Sequence, residues 1–420
     1  MIRGIKGVKD LLPAEAPRWR LIEDTARRWA GFYGYQEIRL PIFESTELFA
    51  RSIGASTDIV EKEMYTFADR DGSSVTLRPE GTAGAVRAYI EHNLAASPLP
   101  QKLFYLGPMF RHERPQAGRL RQFHQFGVEF FGVSSAEADV EVMALLWRFF
   151  TSLHLPSLTL ELNTLGELAD RPRYKSILRD FLLTRSARLC SNCLRRIETN
   201  PLRVLDCKVP ECRAASADAP QIVDHISVHA QEHFASVQRG LTELNIPYQL
   251  NPRLVRGLDY YTLTTFEVTS THLGAQNAVG AGGRYDGLVE VLGGVATPAI
   301  GFAVGLERVA LLASETASTT EAPRLYLAAF GPLATSSGLR LIDDLRSAGI
   351  PTDIDYRATT LKGHLRQADR LRCRFALILG DDEVGKGTAI LRNMQTKEQM
   401  DVPLAAAIEH VRARVLSLEK

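Results

Sequence analysis

The stretch LFYLGPMFRHERPQAGRLRQFHQFGVEFF, residues 103 to 131, constrains the fold of this chain more than any other. Two apolar segments flank a loop that carries Arg111, His112, Glu113, Arg114, Arg119 and Arg121. The second segment alternates. Phe123, Gln125, Gly127, Glu129 and Phe131 point to one face, and His124, Phe126, Val128 and Phe130 to the other. The apolar second face must pack, and the first face sets an amide and a carboxylate roughly 13 Å apart along the strand. The pattern predicts two antiparallel strands joined by a long cationic loop beside a polar floor. Such a sheet suits a small polar molecule held under a phosphate. A hairpin with a solvated face is the alternative.

At 420 residues two or three domains are expected. A net charge of +1 gives no global attraction to nucleic acid, so any polyanion must be met by local clusters. The start MIRGIKGVKD has no apolar core and no run approaches 18 apolar residues, so neither secretion nor membrane spanning is expected. Five cysteines without a secretion signal point to reduced thiols in the cytoplasm.

Along the chain, residues 15 to 33 read as an amphipathic helix through Trp19, Ile22, Ala26 and Trp29. Tyr35 to Leu40 reads as a strand ended by Pro41. Asp71-Gly72 predicts a hairpin between Tyr65–Phe67 and Val75–Leu77. Ser134 and Glu137 fit a capping box before a helix that buries Val140, Met143, Trp147 and Phe150. Residues 166 to about 250 are basic, helical and cysteine-bearing, with no evident continuation of the sheet, and read as an inserted module. Strand-like sequence resumes from Val255 to Val268. Residues 313 to 323, ASETASTTEAP, have the composition of a linker. Beyond it, residues 324 to 420 alternate strand and helix, as in a small α/β domain with a mostly parallel sheet.

Several constellations carry chemistry. Arg111 sits where a strand enters the loop. Arg308 sits in the first turn of a helix, where a cation opposes the helix dipole and suggests a nearby anion. In LVRGLDYYT, residues 254 to 262, Arg256-Gly257 interrupts a strand pattern, and Tyr260 and Tyr261 are expected to face opposite sides. GAGGRYDGL, residues 280 to 288, allows backbone to approach a flat ligand or a phosphate. Glu80, just before a helix start, fits a cap as well as a ligand contact. Glu129, inside a packed strand, calls for a cationic or N–H-bearing partner. Cys190, Cys193, Cys207 and Cys212 run C-x2-C-x13-C-x4-C, close to a four-thiolate zinc site, with a second pair looser than the usual knuckle. Zinc and reduced structural thiols both stay open. GDDEVGKG, residues 380 to 387, nearly matches a phosphate loop, but its acids would repel phosphate and Gly387 replaces the hydroxyl residue, so it reads as a charged hairpin turn. Arg357, Lys362, Arg366, Arg370, Arg372 and Arg374 form a basic helix and flanks suited to a nucleic-acid backbone.

Taken together, these segments resemble a known family. FRHE (Phe110 to Glu113) is similar to the second signature motif of class II aminoacyl-tRNA synthetases, GLERV (Gly305 to Val309) to the third, and GYQEIRLPIFE, with Pro41, to the first. LVRGLDYYT and GAGGRYDGL resemble the two signature segments of the histidyl-tRNA synthetases. The resemblance spans essentially the whole chain. It implies an α+β fold: a class II catalytic domain over residues 1–323, built on a six-stranded antiparallel sheet flanked by helices, with a helical insertion at about 166–250. An α/β anticodon-binding domain at 324–420 and a homodimer are also implied. The implied reaction joins L-histidine to the 3′ end of its tRNA through a histidyl-adenylate, using ATP with Mg2+.

By position, Arg111 and Arg256 would grip the α-phosphate. Arg119 and Arg308 would hold the far phosphates, and Glu113 the adenine amino group. Glu80, Gly81, Thr82 and Gln125 would surround the histidine α-amino and carboxylate groups, with Tyr260 in the same pocket. Glu129 and Tyr261 would bond the imidazole nitrogens, and Arg114 and Gln116 would face the tRNA. Lys6 stands where the family commonly has arginine. The four cysteines are not a general family requirement. The alternative within the same fold is a non-catalytic relative that regulates ATP phosphoribosyltransferase, expected to lack the anticodon domain and parts of the ATP apparatus.

Overall fold

The computed structural model describes residues 2–54, 57, 59–97, 100–255, 258, 260–274, 277–313 and 325–415. The chain divides into two compact units, Met1–Ala317 and Ser318–Lys420. The expected linker falls, beyond Ala313, outside the described residues.

In the first unit α1 (Ala16–Phe32) leads to β1 (Gln36–Glu37), β2 (Phe43–Ser45) and α2 (Thr46–Ile53). The hairpin β3 (Tyr65–Ala68) and β4 (Ser74–Leu77) precedes α3 (Thr82–Glu91) and the long strands β5 (Gln101–Phe110) and β6 (Gln122–Phe131). Then come α4 (Ala136–Ser152) and β7 (Leu158–Thr164). A helical run follows: α5 (Arg171–Leu183), α6 (Ser191–Thr199), α7 (Leu202–Leu205), α8 (Pro210–Ala215) and α9 (Val228–Glu243). The unit closes with β8 (Tyr248–Leu250), β9 (Thr262–Ser270), β10 (Ala278–Arg284), α10 (Leu288–Val291), β11 (Ala299–Gly305) and α11 (Leu306–Leu312).

Eight strands make one sheet in the order β1-β5-β6-β11-β10-β9-β7-β8. Its six inner strands are antiparallel throughout, and the short edge strands β1 and β8 pair in parallel. The alternation along β6 is realised. Phe126, Val128 and Phe130 enter the main core with α1, α4 and α9, while Gln125 lines a cleft on the other face. A buried ion cluster ties this sheet to its helices. Arg284, at the end of β10, donates to Asp139 of α4, to Asp286 at 3.0 Å and to the Val133 carbonyl at 2.9 Å, and His233 of α9 meets the second Asp139 oxygen at 2.8 Å. Burial alone would raise the Asp139 carboxyl, but Arg284 and His233 overcome it and hold the group below its ordinary range.

Four local expectations change. The strand expected at Tyr35–Leu40 is only Gln36–Glu37, because its ladder to β5 covers just Leu103 and Phe104. The cap of α4 is Ser135, not Ser134, and Glu137 lies beside the Ser135 hydroxyl rather than closing a box. The inserted module is smaller than its basic, helical texture suggests. Its own core lies among residues 165–230 together with Val255, Tyr261 and Leu263, while Phe234, Val237 and Leu241 of α9 join the main core and β8 continues the main sheet. The strand expected from Val255 begins only at Thr262.

The second unit contains β12 (Leu325–Phe330), α12 (Pro332–Ser347), β13 (Thr352–Asp353), α13 (Leu361–Arg370), β14 (Phe375–Gly380), α14 (Asp381–Lys386), β15 (Thr388–Asn393), β16 (Gln399–Pro403) and α15 (Ala407–Val415). Its sheet runs β13-β12-β14-β15-β16, parallel over the first three strands and antiparallel over the rest, so it is mixed rather than mostly parallel. The cause is α14. The GDDEVGKG segment forms this one short helix instead of a hairpin turn, its three acids stabilising the N-terminal end and Gly387 ending it at φ 69°. A connection that short cannot make a parallel crossover, so β15 returns antiparallel.

Candidate active site

The β5–β6 hairpin sets one wall of a cleft, and β9, β10 and β11 set its floor. Three guanidinium groups converge there. Arg111, at the exit of β5, donates from Nε to the Pro79 carbonyl at 2.8 Å and lies over the Phe123 ring at 5.4 Å. Arg119 comes from the loop between the strands and pairs with Glu113. Arg308, in α11, donates to the carbonyls of Gly118 at 3.2 Å and Ala278 at 2.5 Å. Burial, and then the neighbouring Arg119, lower the Arg308 guanidinium from its ordinary value. Clustered, partly desolvated like charges of this kind are relieved by a bound polyanion. The dipole of α11 is already met by Glu307, which accepts the His124 backbone N–H at 2.9 Å and its ring Nδ1 at 3.0 Å. Its acid is therefore committed to holding α11 on β6.

At the other end of the cleft, Glu80 is buried and accepts the N–H groups of Thr82 and Ala83 at 2.8 Å each. It caps α3 and also lines the cleft together with Thr82. Burial raises its carboxyl above the ordinary value against these bonds and Arg111. Gln125 is 7% exposed, and its side-chain oxygen meets no hydrogen-bond donor among the described residues. A buried amide oxygen left this way implies a donor on a bound molecule.

Tyr260 and Tyr261 do not face opposite sides. Both line the cleft, with ring centroids 4.7 Å apart. They precede β9, and Leu263 has φ 45°, so strand alternation does not govern them. Glu129 is fully buried and is not part of the cleft lining. It lies among hydroxyls, accepting from Tyr105 at 3.2 Å and from Tyr285. Burial pushes its carboxyl up to about 8, although the Tyr285, Thr82 and Tyr105 hydroxyls pull the other way.

The structure thus gathers Arg111, Glu113, Arg119 and Arg308 with Glu80, Thr82, Gln125, Tyr260 and Tyr261 around one cleft. Gly81 lies just behind it, where a Cβ would meet the Tyr105 ring at 2.2 Å. Arg114 and Gln116 are exposed on the loop, and Gln116 borders a neighbouring recess with Trp19 and His124. Arg256 lies outside the described residues. Sequence reasoning missed Tyr105 and Glu267. Glu267 is a cleft carboxylate, signalled only by a lone charge inside the otherwise uncharged, threonine-rich strand TLTTFEVTS. Tyr105 could be found only from hairpin register, since it stands opposite Gly127. In the second unit, Lys362, Arg366, Arg370 and Arg372 are exposed on or just past α13, whereas Arg357 pairs with Asp355.

A family model described as histidyl-tRNA synthetase matches residues 7–309, and one described as an anticodon binding domain matches residues 334–414. The chain is 52% identical over 416 residues to a histidine–tRNA ligase of Desulfatibacillum aliphaticivorans, covering 99% of each. It is 52% identical over 404 residues to one of Geobacter metallireducens, covering 96% of this chain and 98% of that protein. Among solved structures it resembles apo histidyl-tRNA synthetase of S. aureus with a TM-score of 0.83 and 38% identity, covering 98% of this chain and 99% of that one.

Proposed function

The chain belongs to the histidyl-tRNA synthetase family, and from that premise we propose how its cleft performs the histidine–tRNA ligase reaction. L-Histidine and ATP give histidyl-adenylate and pyrophosphate, and the histidyl group then passes to the 3′ end of its tRNA. The observation that carries this reading is the convergence of Arg111, Arg119 and Arg308 in one cleft with the Gln125 oxygen, which has no donor among the described residues. Histidine lies over Glu80, Thr82 and Gln125, its α-amino group donating to Gln125 and Glu80. Its imidazole points toward Glu129 and Tyr261, beside Tyr260. A side chain with both an N–H and a bare nitrogen satisfies these groups, and an apolar analogue does not.

ATP lies along the cationic wall. Glu113 leaves Arg119 to accept from the adenine amino group, and Arg119 and Arg308 take the far phosphates. Arg111 and Arg256 hold the α-phosphate, where negative charge builds as the histidine carboxylate attacks. A guanidinium already fixed there, as Arg111 is by Pro79 and Phe123, needs no reorganisation at that moment. Mg2+ enters with ATP as part of that substrate. Arg114 and Gln116 face the acceptor end of the tRNA, and the exposed cations of α13 face its anticodon region.

We further take the enzyme to be a cytoplasmic homodimer. Ile42 and Phe43, 46% and 56% exposed in the segment that resembles the first class II motif, supply an apolar face for that contact. Among the described residues no helix is long and apolar enough to cross a membrane. The regulatory alternative is disfavoured by the match to an anticodon binding domain and by the presence of Arg111, Glu113, Arg256 and Arg308.

The test is ATP–pyrophosphate exchange with each of the twenty amino acids. Exchange with histidine is expected. No exchange would overturn the catalytic reading, and exchange with a different amino acid would move the substrate.

A further inference from the structure

The four cysteines of the inserted module lie apart from the reaction, and the structure brings them together. The sulfurs of Cys190, Cys193, Cys207 and Cys212 all lie within 4.8 Å of one another. A tetrahedral zinc ion with Zn–S bonds of about 2.3 Å requires sulfurs roughly 3.8 Å apart, inside that limit. All four are free thiols rather than disulfides. Cys193, Cys207 and Cys212 are buried, and Cys190 is partly open.

We propose that these four thiolates bind one structural zinc ion that fixes the inserted module against the segment leading into the active site. Local architecture supports the ligand set. Cys190 caps α6 and Cys193 sits in its first turn, so both sulfurs lie at a helix N-terminus. Cys212 lies in α8, and its sulfur accepts the Cys190 backbone N–H at 3.1 Å. Such N–H···S bonds orient a thiolate and offset its charge. The module core, residues 165–230 with Val255, Tyr261 and Leu263, is small, and three of its members are Cys193, Cys207 and Cys212 themselves. Cores of that size commonly need a metal or disulfides to hold.

The zinc would also reach the cleft. The Ser216 hydroxyl donates to the Cys212 carbonyl at 2.8 Å. Arg253 in turn donates to the carbonyls of Ser216 at 2.6 Å and Leu205 at 3.0 Å, and to the Ser216 hydroxyl at 3.0 Å. Arg253 precedes Arg256 by three positions, and Tyr261 belongs to the module core while lining the cleft. Four thiolates and one Zn2+ leave two negative charges. The Arg253 guanidinium, close to Cys207 and to Asp206, is the cation placed to face that charge.

Elemental analysis of the full chain, purified without added metal or chelator, tests this. One zinc per chain is expected, released by a mercurial thiol reagent to a chromogenic chelator. Chain produced with cobalt should show thiolate-to-cobalt charge-transfer bands and tetrahedral d–d bands. Cys193→Ser and Cys212→Ser should lose the metal, and Cys373→Ser, in the other unit, should keep it. Absence of zinc from the wild-type chain, iron in its place, or full zinc in both Cys193→Ser and Cys212→Ser would overturn the site. The wild-type measurement decides even where a variant fails to fold. Removing zinc should raise the histidine KM several-fold, with restoration on adding zinc back. An unchanged KM would overturn the coupling to the cleft.

Discussion

The Tyr105 hydroxyl meets the Glu129 carboxylate at 3.2 Å, and the Tyr105 ring reaches it by lying across two glycines. A Cβ on Gly81 or on Gly127 would come within 2.2 Å of that ring. Tyr105 and Gly127 are paired residues on β5 and β6, so the missing side chain is what lets the tyrosine lean along the sheet to Glu129. Gly127→Ala is therefore expected to destabilise the chain by about 1–3 kcal/mol and to raise the histidine KM. Gly84→Ala provides the opposite sign, since in α3 its Cβ meets Leu40 at an ordinary 3.4 Å and the helix gains about 0.5–1 kcal/mol. Thermal unfolding of the two variants, side by side, checks the pair.

Glu129 gives a pH dependence. Its carboxyl is pushed by burial to about 8 in the folded chain, above the 4.5 of a free glutamate. The folded state therefore binds the proton more tightly than the unfolded state. This contribution to stability is complete below about pH 4.5 and is lost as pH rises through about 8. Glu129→Gln removes it, so between pH 5 and 8 the unliganded wild-type chain should lose stability relative to the variant by a few kcal/mol, measured with roughly a unit between pH points. Parallel stability profiles for the two proteins would refute the assignment. The same variant should raise the histidine KM more than the ATP KM.

Asp139 has the opposite sign. Despite its burial, Arg284 and His233 hold its carboxyl below 3.8, so the stability it contributes is present above that value and lost as pH falls through its folded pKa. Asp139→Ala leaves Arg284, which is fully buried, without its main partner. A loss of about 3–5 kcal/mol is expected in denaturant titrations, with little change in histidine specificity if the protein is assayed well below its midpoint. Arg284 lies in GAGGRYDGL, so part of what looks like a ligand loop in the sequence is a core fastening.

The arginines should divide by step. Arg256→Ala is expected to slow adenylate formation by roughly 10²–10³-fold while histidine binding largely survives. Pyrophosphate exchange and histidine affinity, measured together, check it, and exchange within a factor of two of wild type would remove the assigned charge role. Arg308→Ala should raise the ATP KM by about ten-fold or more. Because Arg308 also ties Gly118 to Ala278, its melting temperature must be measured alongside.

Phe43→Asp should weaken self-association by placing a charge on the exposed apolar face beside Ile42. Light scattering over a dilution series reads this, with wild type dimeric and the variant shifted toward monomer.

Much of this molecule was legible in its residues. The alternation of Gln125 and Glu129 against Phe126, Val128 and Phe130 set which face of β6 carries polar groups and which enters the main core, because the side-chain period of a strand is two, although both polar side chains proved buried. The arginines of the loop and of GLERV, the tyrosine pair and Glu80 were likewise visible as types out of place in their local context. What lay beyond the sequence depends on neighbours distant in the chain. The Tyr105–Glu129 contact requires the hairpin register, and the common orientation of Tyr260 and Tyr261 requires the irregular entry into β9. The mixed sheet of the second unit follows from six residues choosing a helix over a turn. The C-x2-C-x13-C-x4-C spacing left zinc and plain thiols open, and the packing of α6, α8 and the turn after α7 that carries Cys207 brought four sulfurs within 4.8 Å of one another. Local periodicity decides the direction of a side chain, whereas its partner is decided by which elements tertiary packing sets beside it.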